Sequence, residues 1–255
     1  MPFAPTRSLV TGASSGIGAA FARALAERGS DLVLVARRED RLRALADELT
    51  SRHGIRAEVV AADLAEASIG TRLRAQTGPV DLLVNNAGFA THGPLAESDP
   101  ERLEEEIGVD VRALVSLTRA YLPDQLAAGR GGIVNVASTA AFQPVPGMAV
   151  YGAAKAFVRS FTEAVWHEAR PHGVKVLSLS PGSTRTEFFD VVGTRSAAVG
   201  RFQTPETVVA IALRALEARR PGPGVVCGAA NATTAWLTRF MPRRMLIDLS
   251  ARMVR

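Results

Sequence analysis

The chain has 255 residues, 47% of them hydrophobic and 5% aromatic. That is ample for a core built on Ala, Val and Leu, and it excludes a disordered chain. The net charge of +5 comes from 30 basic and 25 acidic side chains, and most of the excess lies in residues 239–255. The remaining body is near neutral and carries no basic stripe for nucleic acid. His53, His92, His167 and His172 stand at no ligand spacing to cysteines or acids, so no metal site is expected. Cys227 is the one cysteine; it reads as a small buried hydrophobe and suits a reducing, cytoplasmic setting. The first strand-like run comes too early to leave room for a signal peptide, and no apolar run reaches the roughly 20 residues that span a bilayer.

In chain order, short apolar runs at residues 7–10, 32–35, 57–61, 82–84, 133–136, 175–179 and 224–227 read as strands. Amphipathic stretches at 16–28, 38–52, 65–77, 100–126, 150–169 and 205–218 read as helices. Near-continuous apolar strands separated by helices predict a parallel sheet covered on both faces, an α/β sandwich. No internal repeat or interdomain linker is visible, so a single domain over 1–255 is expected. Residues 187–203 have weak periodicity and paired aromatics, and read as a mobile substrate flap.

Gly12, Gly16 and Gly18 punctuate the first strand-to-helix junction, with Ser14, Ser15 and Ile17 between them. Small residues there let a pyrophosphate approach the open amides and positive dipole end of the next helix. The second strand ends in Ala36, Arg37 and Arg38. An NAD site wants an acid near that end to accept from the ribose hydroxyls. Here a guanidinium can pair with a 2′-phosphate instead. NADP(H) is therefore favoured over NAD(H), chiefly on Arg37; the bland alternative is that both arginines are solvated and open a helix.

Further along, Ser138 precedes Tyr151 and Lys155, which lie one helical turn apart on one face. Reducing a carbonyl needs a proton at oxygen, and a tyrosine serves if a neighbouring ammonium favours its phenolate. The assignment is Tyr151 as acid/base, Lys155 as the cation that lowers its pKa, and Ser138 as donor to the substrate oxygen.

These motifs resemble the classical short-chain dehydrogenase/reductase family over about residues 6–230, with Gly-x-x-x-Gly-x-Gly in place of the usual Gly-x-Gly-x-x-Gly. The resemblance implies a Rossmann-type three-layer sandwich with a seven-stranded parallel sheet. It implies that Asp63 stands against the adenine, and that Asn85, Asn86, Ala87 and Gly88 form the signature after the fourth strand. It also implies that Pro181, Gly182, Thr184 and Thr186 cradle the nicotinamide, while Lys155 reaches the adjacent ribose. One position departs from the pattern. Where the family places an asparagine that helps fix a helix distortion, this chain has Asp110. An ionised carboxylate close by would oppose the Tyr151 phenolate while stabilising the Lys155 cation. A slower or alkaline-shifted enzyme is expected, with a low-turnover cofactor-binding scaffold as the alternative.

Phe89, Phe142, Pro144, Met148, Phe188 and Phe189 are expected around the nicotinamide, which points to an apolar ketone, aldehyde or secondary alcohol; the alternative is that several of them only pack the flap. In the tail, Met245, Leu246, Leu249 and Met253 recur at helical spacing among arginines. Such a helix suits an anionic membrane surface, or, as the favoured reading, caps the substrate site or packs on a partner subunit. The long helices at 100–126 and 150–169 carry apolar positions beyond one sheet face, and the resemblance implies a homodimer or homotetramer built on them.

Overall fold

In the computed structural model, which describes residues 3–194 and 200–253, seven parallel strands form one sheet in the order β3-β2-β1-β4-β5-β6-β7. They are β1 Arg7–Thr11, β2 Asp31–Ala36, β3 Ala57–Ala61, β4 Leu82–Asn85, β5 Gly132–Val136, β6 Lys175–Ser180 and β7 Gly224–Val226. The central strands are buried but for Arg7 at the start of β1, as expected of strands covered on both faces. Strand order reverses between β1 and β4, which pair with Val10 beside Val84. A crevice therefore opens beyond the carboxyl ends of these two strands, where open α/β sheets bind ligands.

Two helical layers close the sandwich. On one face lie α1 Gly16–Ala26, α2 Glu39–His53 and α8 Pro205–Glu217, whose Phe21, Leu42 and Leu213 join one core cluster. On the other lie α3 Ile69–Thr77, α5 Leu114–Ala128 and α6 Ala149–Ala169, contributing Leu73, Tyr121 and Val165 to a second. Helix starts are set locally. Asp99 accepts from the Glu101 N–H ahead of α4 Pro100–Ile107, and Thr204 caps α8 through the Thr207 N–H.

The expected helix at 100–126 is not continuous. It runs as α4, a π-helical segment at Gly108–Ala113, and α5. The extra residue in the turn rotates Asp110 inward, where it is buried. The expected helix at 65–77 begins later, at Ile69. Asp63 takes the Ala65 N–H in a turn, and Ser68 sits in the left-handed region at φ 59°. Cys227 lies just past β7, fully buried, and burial pushes its thiol up to about 12.

The flap segment begins as the short helix α7 Phe188–Val192. Its base is tied by backbone bonds from the Arg185 N–H to the Gln203 carbonyl and from the Gln203 N–H to the Ser183 carbonyl, both 2.9 Å. Residues 195–199 of that segment lie outside the described ones. The tail folds as α9 Ala229–Leu237 and α10 Arg243–Met253. On α10, Leu246 turns inward while Met245 and Leu249 face out; the Met253 side chain and Arg255 are outside the described residues. No helix among the described residues is long and apolar enough to cross a membrane.

Candidate active site

The crevice is stitched together by Thr11 at the end of β1. Its hydroxyl accepts the Asn86 and Ala87 N–H groups at 2.9 and 3.0 Å, and the Asn86 amide donates to the Thr11 carbonyl at 2.9 Å. The sequence does not single out Thr11, and it gives Asn86 only as part of the signature after β4. Asn85 turns the other way. Its amide donates to Thr118 and Asn135 inside the core, so it braces β4 against β5 and does not face the crevice.

The loop after β1 folds back tightly on α1. A Cβ on Gly18 would stand 2.2 Å from the Gly12 carbonyl oxygen, and Gly12 holds φ 65°. Ser15 gives α1 no side-chain cap, so its first amides stay open at the loop. Ile17 packs into the core. This close-folded loop with open helix amides fits a dinucleotide pyrophosphate.

The two arginines after β2 diverge. Arg37 leaves the loop and pairs with Glu105 at 2.8 Å. Arg38 reaches it, donating to Ser14 Oγ at 3.0 and 3.2 Å and to Ser15 Oγ at 3.0 Å. Arg38 also donates to Glu187 at 2.8 Å, and Arg41 meets the same carboxylate at 2.6 Å. These two guanidiniums hold the Glu187 carboxyl below the usual range. A cleft of about 750 Å³ opens beside them, lined by Ser14, Ser15, Gly16, Arg41, Thr186 and Glu187 among others.

Pro181 follows β6, and its carbonyl accepts the Thr139 N–H at 2.9 Å, which brings this segment beside Ser138. Gly182 packs so near Asn231 of α9 that a Cβ would stand 2.4 Å from its amide nitrogen. Thr184 closes a local turn onto the Gly182 carbonyl, and Thr186 lays its methyl against Gly16. Asp63 lies two residues past β3, with one oxygen spent on its own turn.

Ser138 extends from β5 and accepts the Ala140 N–H at 3.1 Å. Tyr151 and Lys155 project from α6, with the Lys155 nitrogen 5.5 Å from the phenol ring centre. Lys155 Nζ lies 2.9 Å from Asp110 Oδ2 and donates to the Val136 carbonyl at 3.3 Å. Asp110 Oδ1 accepts the Phe89 N–H at 3.1 Å. Gly88 passes directly over this pair. A second carboxyl lies one turn earlier. Glu106 is fully buried and accepts the Thr91 N–H at 2.8 Å.

The electrostatics follow from this burial. Desolvation works against the Lys155 charge, yet Asp110, Tyr151 and Glu106 together hold its pKa above the ordinary lysine value. Burial pushes Asp110 up, restrained by the Lys155 ammonium and the Phe89 N–H. Burial likewise pushes Glu106 up. Catalysis by Tyr151 requires its phenol to fall toward neutrality, and the sequence leads one to expect Asp110 to oppose that fall. In the protein alone the phenol is raised. Burial leads, Asp110 and Glu106 add to it, and the opposing pull of Lys155 and Ser138 does not overcome them.

Around the phenol, Met148 is buried with Ala90 and Val145, and Phe188 packs on the Tyr151 ring at 5.5 Å between centroids. Phe89 and Phe142 are each covered by a guanidinium, Arg102 at 3.9 Å and Arg159 at 4.3 Å. Both guanidiniums are paired, with Glu105 and Glu163 respectively. Pro144 is half-buried in the same loop. Phe189 departs from the group and lines the cleft beside Ser14 and Arg41.

A family model described as short chain dehydrogenase matches residues 7–196. Sulfoacetaldehyde reductase 2 from Chromohalobacter salexigens is 40% identical over 184 residues, covering 71% of this chain and 73% of that protein. A short chain dehydrogenase from Pseudocercospora fijiensis is 39% identical over 187 residues; the match covers 71% of this chain and 60% of that longer protein. Among solved structures, a short-chain dehydrogenase from Sphingobium yanoikuyae in complex with NADPH aligns with a TM-score of 0.81 at 32% identity, over 95% of this chain and 97% of that one.

Proposed function

Since the chain belongs to the short-chain dehydrogenase/reductase family of NAD(P)(H)-dependent oxidoreductases, we propose that it moves hydride between NADP(H) and an apolar ketone, aldehyde or secondary alcohol. The observation that carries this reading is the Tyr151 ring, 5.5 Å from the buried Lys155 ammonium on α6, with Ser138 and Lys155 both favouring its phenolate. A nicotinamide held in the crevice would supply or accept the hydride. Tyr151 gives or takes the proton at the substrate oxygen, and Ser138 donates a hydrogen bond to that oxygen. Lys155 favours the phenolate and would hold the nicotinamide ribose; Asp110 fixes the position and charge of Lys155. Gly12, Gly16 and Gly18 with the α1 amides would hold the pyrophosphate, and Thr186 would hold the carboxamide. The preference for NADP(H), expected chiefly on Arg37, rests instead on Arg38 at the glycine loop, since Arg37 is held by Glu105, and on the missing acid at Ala36 and the NADPH complex of the similar Sphingobium protein.

The apolar substrate rests on Met148, Phe188 and the neighbouring phenylalanines. An anionic substrate such as sulfoacetaldehyde would have to displace Glu105 or Glu163 from Arg102 or Arg159, the guanidiniums over Phe89 and Phe142. The test is a spectrophotometric screen of bulky apolar ketones, secondary alcohols and sulfoacetaldehyde with both cofactors. Turnover on the apolar compounds is expected, falling by about 10²–10⁴-fold in Tyr151→Phe. Activity that survives this change shows the proton takes another route, and turnover of sulfoacetaldehyde alone overturns the substrate class.

A second surface supports a peripheral membrane contact. Trp236 and Phe240 stack edge to face at 4.8 Å and are 56% and 68% exposed, with Arg239, Arg243 and Arg244 beside them in the chain. Aromatic anchors among arginines suit anionic lipid. Flotation with anionic vesicles should recover the full chain and lose a Trp236→Ser/Phe240→Ser variant; equal recovery removes this reading. The exposed Ile107 and Phe157 on α4 and α6 support a homo-oligomer built on those helices. Light scattering on Phe157→Asp tests it, with dissociation the expected result.

A further inference from the structure

We propose that Glu187 is a built-in rival for the 2′-phosphate of NADP(H), and that displacing it transmits the arrival of the phosphate to the flap over Tyr151. This inference rests on the NADP(H) reading above. Glu187 bridges Arg38 and Arg41 with one oxygen on each, at 2.8 and 2.6 Å. Arg38 in turn spans Ser14 and Ser15 at the glycine loop. The carboxylate therefore occupies the cationic position to which a 2′-phosphate would be drawn.

The competition favours the phosphate without being one-sided. The three side chains of the bridge are 42–46% exposed, and exposed ion pairs of this kind are weak. A phosphate monoester carries about −1.5 to −2 charge and three strong acceptor oxygens, and it engages guanidinium in bidentate fashion. Once it takes Arg38, Glu187 faces a like charge and leaves. NAD(H) has no such group, so Glu187 stays on both arginines.

The neighbours of Glu187 give this exchange a consequence. Thr186 lies against Gly16 of the cofactor loop, and Phe188 packs on the Tyr151 ring. Phe189 meets Phe188 at 5.4 Å and Phe202 at 5.5 Å, across the cleft mouth. Four consecutive residues thus touch the pyrophosphate loop, the arginine pair, the phenol and the cleft wall. Releasing Glu187 frees the first turn of α7, on which the aromatic cover of the phenol is carried.

The test compares adenosine 2′,5′-bisphosphate with 5′-AMP by calorimetry on wild type, Glu187→Gln and Glu187→Asp. Glu187→Gln should bind the bisphosphate about 3- to 10-fold more tightly, as removal of a surface ion-pair rival predicts. Affinity for 5′-AMP should be unchanged, and the shorter Glu187→Asp, unable to span both arginines, should fall between. In wild type the bisphosphate, and not 5′-AMP, should speed amide hydrogen exchange in residues 188–192. Glu187→Gln should show fast exchange with either ligand. If wild type prefers the bisphosphate but Glu187→Gln gains nothing, or exchange does not respond, the rivalry is overturned and the NADP(H) reading stands. If neither protein distinguishes the two nucleotides, the NADP(H) reading falls, and the proposal with it.

Discussion

Lys155 and Asp110 form an ion pair of 2.9 Å in the interior, with almost no exposure of either side chain. The carboxylate pins the ammonium at the price of a negative charge near Tyr151, and that charge helps keep the phenol up. Replacing Asp110 by Asn removes the charge and keeps the shape. The Tyr151 phenol should then ionise at lower pH, so the pH profile of alcohol oxidation should move to lower pH. Turnover at neutral pH should rise by about 2- to 10-fold, since one pKa unit is a tenfold change in phenolate. Steady-state rates across pH check this. An unmoved profile with no gain in turnover shows that Asp110 does not govern the phenol.

Glu106 bears on stability. Burial raises its pKa in the fold, so between the ordinary glutamate range and its raised value the folded state binds more protons than the unfolded chain. Stability must therefore fall as pH rises through that window. Glu106→Gln abolishes this titration. The Tm of the variant should gain on wild type as pH climbs, by about 2–4 °C per kcal/mol for a domain of this size. Thermal melts at a series of pH values measure it, and parallel curves would mean that Glu106 titrates alike in the folded and unfolded chain.

The seven strands and their order of helices were legible because buried parallel strands leave unbroken apolar runs. The positions that escaped share a different physics. A π turn adds one residue without disturbing the apolar pattern around it, so residues 100–126 look like one helix. Glu104, Glu105 and Glu106 are alike in sequence, yet only the last is buried, because only it falls on the face turned to Thr91 and Lys155. Asn85 and Asn86 belong to one motif but point to opposite sides of the sheet end. Which of Arg37 and Arg38 meets the loop depends on where Glu105 and Glu187 arrive from distant parts of the chain.

That divergence separates the two arginines experimentally. Arg38 makes three hydrogen bonds to Ser14 and Ser15, while Arg37 is held by Glu105. Charged hydrogen bonds are worth about 1.5–3 kcal/mol. Arg38→Ala should therefore weaken NADP⁺ binding by about tenfold or more and leave NAD⁺ nearly untouched, with a smaller loss for Arg37→Ala. Fluorescence titration of both cofactors decides the order. A larger loss for Arg37→Ala would show that Arg37 leaves Glu105 for the phosphate.

Gly88 couples the crevice to the buried pair. A Cβ there would stand 2.7 Å from Asp110 Oδ1 and 3.1 Å from Lys155 Nζ. Its φ is outside the left-handed region, so alanine would be opposed by crowding alone. Gly88→Ala should destabilise by about 1–3 kcal/mol, the range for overpacking, and should lower kcat by displacing Lys155. Asp110→Ala deletes the atom nearest the new methyl. In that background Gly88→Ala should cost less, with a coupling of about 0.5–3 kcal/mol between the two changes. Denaturant unfolding of the four proteins closes the cycle. Strict additivity would mean that the backbone at Gly88 yields instead, and that the ion pair is not braced from above.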